Sequence, residues 1–201
     1  MKLDSRMAAR YVFAALLASS AAPTEAIEVH PSSEETNAAL QRGRAAAVAH
    51  TPPNRLYAWF GVTHDGQLTP HGFLTSKLGG IAVMSAHFAL RSERPSDQDI
   101  QRILDEPYLM IAVFLFGHDP RFAVNSYAVL TQGERKIVPA KVRFDGAADR
   151  STAWPKPPAY RAKVIAFFRY EDFDPRATAT LSVFPPSGGE VSFDLDFAAI
   201  P

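Results

Sequence analysis

Two short stretches carry the residue types that hydrolytic chemistry uses. His64, Asp65 and His71 fall in HDGQLTPH, and His118-Asp119 ends the apolar run YLMIAVFLFG. Three such ligands converging on one point would hold a zinc ion and activate its water. His-x6-His in a loop has no built-in convergence, unlike His-x3-His on a helix. A His64/His71/His118 centre therefore depends on the fold bringing separate loops together. Adjacent residues on an extended strand point to opposite faces, and Gly117-His118-Asp119-Pro120 has the composition of a turn. His118-Asp119 reads as the end of a strand. Glu171, Asp172 and Asp174 before Pro175 mark another turn, without the glycine and twelve-residue pattern of an EF-hand calcium loop. Asp194 and Asp196 alternate with Phe193, Leu195 and Phe197, as the wet face of a strand does.

Other catalytic signatures are missing. A chain of 201 residues with no cysteine has no thiol nucleophile, no Cys-ligated zinc and no disulfide. No GxSxG elbow, Ser-x-x-Lys pair, GxxxxGK[ST] or GxGxxG run occurs, and Gly79-Gly80 is too little to cradle a phosphate. Twenty-one basic residues balance twenty-one acidic ones, so the basic excess of a nucleic-acid binder is missing. No cofactor is expected.

The most unusual connection is DGAADRSTAWPKPPAY, from Asp145 to Tyr160. Trp154, Tyr160, Pro155, Pro157 and Pro158 give it a stiff aromatic surface that can grip a partner at small entropic cost. The alternative is a crossover between two sheets, with Trp154 closing an open end of the core. Trp154 and Tyr160 are the candidate binding residues.

The elements that must carry these groups are legible in outline. Lys2, Arg6 and Arg10 precede the uncharged run YVFAALLASSAA, and small residues follow. This is the three-part pattern of a secretory signal, with cleavage expected after Ala26. The run is short of the roughly twenty residues that span a bilayer, so no retained transmembrane helix is expected. Ser32 and Ser33 before Glu34 and Glu35 predict a helix over about 33–49. Leu74, Leu78, Ile81, Ser85 and Phe88 keep helical spacing and predict a second over about 74–91, with Gly79-Gly80 pointing to close approach of another backbone. Ser96 caps a third over about 96–106, which Pro107 ends. From Leu109 the period falls to two. LMIAVFLFG is apolar on both faces like a central strand, ERKIVPAKVRF and YRAKVIAFFRYEDF alternate, and TATLSVF and EVSFDLDFA flank the turn PPSGG.

The fold class is thus α+β: N-terminal helices followed by an antiparallel β-sandwich from about 109 to 198, immunoglobulin-like in general layout. The expected divisions are a secretory signal over 1–26, a helical segment over 27–107 packed on the sheet, and a sandwich domain over 108–201. The reading is a periplasmic or secreted, non-catalytic domain that binds a protein, peptide or glycan of the cell envelope. A metal-dependent hydrolase using His64, His71 and His118 is the rival.

Overall fold

A computed structural model describes residues 26–62 and 68–200. The expected leader, except Ala26, and the His64-Asp65 pair lie outside the described residues. In chain order the elements begin with α1 (Ser33–Val48), β1 (Ala58–Phe60), β2 (His71–Thr75), α2 (Lys77–Leu90) and α3 (Asp97–Leu104). Strands follow: β3 (Tyr108–Gly117), β4 (Tyr127–Gln132), β5 (Arg135–Ile137), β6 (Lys141–Phe144) and β7 (Asp149–Arg150). The last are β8 (Tyr160–Arg169), β9 (Thr178–Phe184) and β10 (Val191–Asp196).

The strands form two antiparallel sheets, in the orders β1-β2-β3-β8-β6 and β10-β9-β4-β5, with β7 added to one end of β8. Between them lies one core. Leu109, Ile111, Val113 and Leu115 of β3 and Ala162, Val164, Ala166 and Phe168 of β8 meet Leu130, Leu181, Val183 and Leu195 of the second sheet. Each large side chain closed off here contributes about 1.5–3 kcal/mol relative to exposure. The architecture is the expected α+β arrangement with a sandwich-like β region, and the alternation of the last strand holds: Leu195 is buried while Ser192, Asp194 and Asp196 are exposed.

The alternating stretch ERKIVPAKVRF divides between the two sheets. β5 pairs with β4 and β6 with β8, so the chain crosses at Val138-Pro139-Ala140. Inward positions change parity there: Ile137 is buried, Val138 is 72% exposed, and Val142 packs on the core. Pro139 has no N–H to give to a ladder, which suits a residue between sheets.

The helices make a second, smaller core in which Ala39, Leu40, Ile81 and Ala82 meet Leu56, Leu78, Ile100, Ile103 and Leu104. The second helix opens at Lys77 rather than 74, because Leu74 belongs to β2 and is buried in the sandwich core. Ser76 caps it, its hydroxyl accepting from Gly79 N at 3.0 Å. The close backbone approach is at Gly43 of α1, where an added Cβ would lie 2.1 Å from Ala82 O. At Gly80 an added Cβ would meet Ile103 at an ordinary 3.4 Å. Lys77 ties the two cores together: its buried amine donates to Leu104 O at the end of α3 and lies 5.4 Å from the Tyr170 ring.

α1 and α3 both start in capping boxes. Ser96 Oγ accepts from Asp99 N at 3.2 Å, while the Asp99 carboxylate accepts from Ser96 N and Ser96 Oγ. Those bonds favour the ionised form and lower the Asp99 pKa, chiefly through the Ser96 hydroxyl. A depressed carboxyl pKa contributes stability above its unfolded value, lost as pH falls through the folded one. Ser96→Ala should therefore raise the Asp99 pKa in an NMR titration. Its destabilisation, present at neutral pH, should shrink in acid. An unmoved Asp99 titration would disprove the box.

Candidate functional site

The outer face of the first sheet, turned away from the core, carries a different set of side chains. Along β3 they are Tyr108, Met110, Ala112, Phe114 and Phe116, and along β2 they are His71, Phe73 and Thr75. β1 adds Trp59, and β8 adds Arg161, Lys163, Ile165, Phe167 and Arg169. The register sets these in rows, for example Trp59–Phe73–Ala112–Ile165–Arg143 and His71–Phe114–Lys163. Aromatic rings cover the β1–β3 end. Tyr57 stacks on Phe73 with centroids 4.3 Å apart, Trp59 lies 5.1 Å from Phe73, and His71 lies 5.1 Å from Phe114. Trp59 is 37% exposed, with Nε1 donating to Asn54 O at 2.7 Å. His71 Nδ1 donates to Thr69 O at 2.9 Å, which leaves Nε2 as the acceptor of the neutral ring.

Arginines lie across this aromatic surface. Arg161 sits 5.4 Å from the Phe114 ring, Arg143 5.5 Å from Phe167, Arg169 5.6 Å from Tyr108 and Arg150 4.6 Å from Trp154. A guanidinium drawn to a ring by its charge spends none of its N–H donors on a hydrogen bond there. Arg169 pairs with Glu171 at 3.6 Å, but Arg143, Arg150 and Arg161 make no ion pair among the described residues. Asp149 stands opposite Arg161 in the register without closing on it. A cleft of ≈ 660 Å³ opens at this end, lined by Arg55, Arg150 and Arg161 with Trp59, His71 and Phe116.

The loop from Asp145 to Tyr160 forms the rim beside that cleft. Ser151 organises it: its hydroxyl donates to Pro158 O and accepts from Ala153 N, and its backbone N–H donates to Ala159 O at 2.8 Å. Trp154 and Tyr160 do meet, ring edge to ring face, at 5.3 Å. Their roles differ. Tyr160 is half-buried against the sandwich core, whereas Trp154 lies outside it, 41% exposed beneath Arg150.

The histidine readings fare less well. His118 and Asp119 are exposed in a turn, where Asp119 Oδ1 accepts from Arg121 N at 2.8 Å. His64 lies outside the described residues. No group of three His, Asp or Glu side chains that could hold a metal occurs among those described. The Glu171-Asp172 carboxylates sit on a 3-10 turn that ends β8.

Sequence reasoning missed the outer face because its cations come from four separate segments: Arg55, Arg143, Arg150, and the Arg161, Lys163 and Arg169 of β8. One signal was available. In YRAKVIAFFR the residues opposite the buried set read Arg161, Lys163, Ile165, Phe167, Arg169, an apolar centre between cations.

No protein-family model and no curated protein matches the chain. Among solved structures it is similar to the archaellum periplasmic stator protein complex FlaF and FlaG from Sulfolobus acidocaldarius, at 12% identity. The match covers 44% of this chain and 77% of that one, with a TM-score of 0.28. At that level the likeness says nothing about what this chain binds. No described helix is long and apolar enough to cross a membrane.

Proposed function

We propose that the protein is a non-catalytic binding module, exported to the cell envelope, that captures an acidic protein, peptide or glycan on the outer face of its first sheet. One observation supports this above all: in a chain of zero net charge, Arg143, Arg161 and Arg169 lie over aromatic rings on one open face, and Arg150 lies over Trp154 at its rim. Rings supply flat apolar area with little rotamer freedom to lose, and guanidinium forks match carboxylate, sulfate and phosphate groups. Trp154 is the exposed ring at the rim, and Tyr160 is its support.

The test is a titration of immobilised protein with oligoglutamate, with oligogalacturonate and with single-stranded oligothymidylate. One of the two acidic polymers should bind, more weakly as salt rises. Arg161→Glu should weaken that binding by at least about tenfold, since it places like charge against the ligand. Trp154→Ala should weaken it with the melting temperature unchanged. Tyr160→Ala is a poorer probe, because half of that ring belongs to the core. Capture of oligothymidylate alone, or indifference to both Arg161→Glu and Trp154→Ala, would sink the reading.

A further inference from the structure

We propose that the gap between α1 and the end of the sandwich is a second site, which takes a small monocarboxylic acid gripped by Arg42. This stands apart from the outer-face reading. Nε and Nη2 of Arg42 are both closed off from solvent and without a hydrogen-bond partner. They are the neighbouring donors on one edge of the guanidinium, the edge that grips a carboxylate through two parallel N–H···O bonds. Arg42 makes no ion pair among the described residues. Arg42 as a whole is half-buried, but a guanidinium edge shut from water with no acceptor is costly, which points to a missing acceptor there.

The surroundings narrow the ligand. Arg42 lines a cavity of ≈ 440 Å³ with Tyr57, Leu74, Gly79, Asp194 and Ile200 among its walls. That volume admits a small molecule. The N-terminal turn of the fourteen-residue α2 contributes Ser76 and Gly79 to the wall, adding the positive end of a helix dipole to the guanidinium. Tyr57, Leu74 and Ile200 ask for an apolar body. Asp194 and Asp196 also border the cavity, with Oδ1 atoms engaged by the Thr180 hydroxyl and by Ala198 N. Their charges repel any anion, a doubly charged phosphate more than a singly charged carboxylate, so the monoanion is the better fit.

Calorimetric titration of the purified protein with phenylacetate, and with phenylacetamide as its uncharged counterpart, tests this. Phenylacetate should bind and phenylacetamide should not. Arg42→Met keeps an apolar stem and removes the fork, so it should weaken phenylacetate by at least about tenfold. Arg42→Lys keeps the charge without the fork and should also lose most of the affinity. Without ligand, Arg42→Met should melt no lower than the parent protein, because it removes two occluded donors that have no partner. Arg161→Glu, which reports on the outer face, should leave phenylacetate binding unchanged. Equal binding of the amide would make this an apolar cavity only. No binding of phenylacetate, or a melting temperature several degrees lower for Arg42→Met, would overturn the assignment.

Discussion

Phe168→Ala should cost about 3–5 kcal/mol in urea unfolding, with the midpoint shifted and the slope little changed. Phe168 is fully buried on β8, opposite Leu109, where the sheets press together. Truncation would leave a cavity that neighbouring strands cannot collapse into without breaking their ladders. Domains of this size are stable by roughly 5–15 kcal/mol, so the loss is a large share of the total. Phe167 is the internal control. It is the next residue, points to the outer face, and is only half-buried beneath Arg143. Phe167→Ala should cost less than about 2 kcal/mol. Equal losses at the two positions would mean that the sheet does not have one dry and one open face.

Gly43→Ala should be the most disruptive single methyl in the helical layer. The new Cβ would stand 2.1 Å from Ala82 O, 2.7 Å from Ser85 Cβ and 2.9 Å from Ala86 N. Two of those atoms are backbone, which yields only if α1 moves away from α2. Ser85 also donates to Leu40 O across this contact at 2.7 Å, so separation endangers a buried hydrogen bond. Alanine's better helix propensity returns up to about 1 kcal/mol. Overpacking outweighs it, and we expect a net loss of about 2 kcal/mol. Gly79→Ala meets only the Ser76 hydroxyl, at 3.2 Å, and should be nearly neutral. The comparison is decisive by thermal unfolding: if both alanines are tolerated, the helices are not in backbone contact.

Local signals in the sequence were reliable where one physical cause acted alone. Ser32 and Ser96 announced their helices because a capping hydroxyl acts within three residues, and Val164, Ala166 and Phe168 announced a buried face through period two. Difficulty began where a residue serves two elements. Leu74 fits the spacing of α2 yet fills the sandwich core from β2, one residue before the Ser76 cap. Val138 continues the alternation of its neighbours, but the chain changes sheet there. The outer face was harder still, since no local pattern reveals that Arg55, Arg143, Arg150 and Arg161 share one surface. Trp154 and Tyr160 meet at 5.3 Å in the fold, which their spacing in the sequence does not announce. That one is exposed and the other half-buried depends on the fold around them.

The second sheet's outward side, with the Thr180–Asp194 pair and the Glu190 carboxylate accepting from Ser182 and Ser192, is hydroxylic and acidic. Arg143, Arg161 and Arg169 lie on the opposite side of the sandwich. Zero net charge therefore conceals two unlike faces, each with a minority of the other sign: Lys136 near Glu190 on one, Asp149 and Glu171 on the other. At neutral pH the molecule should drift little in an electrophoretic field and yet be retained on a sulfonate resin, arginine side down. It would approach any anionic surface already oriented, with its aromatic face leading.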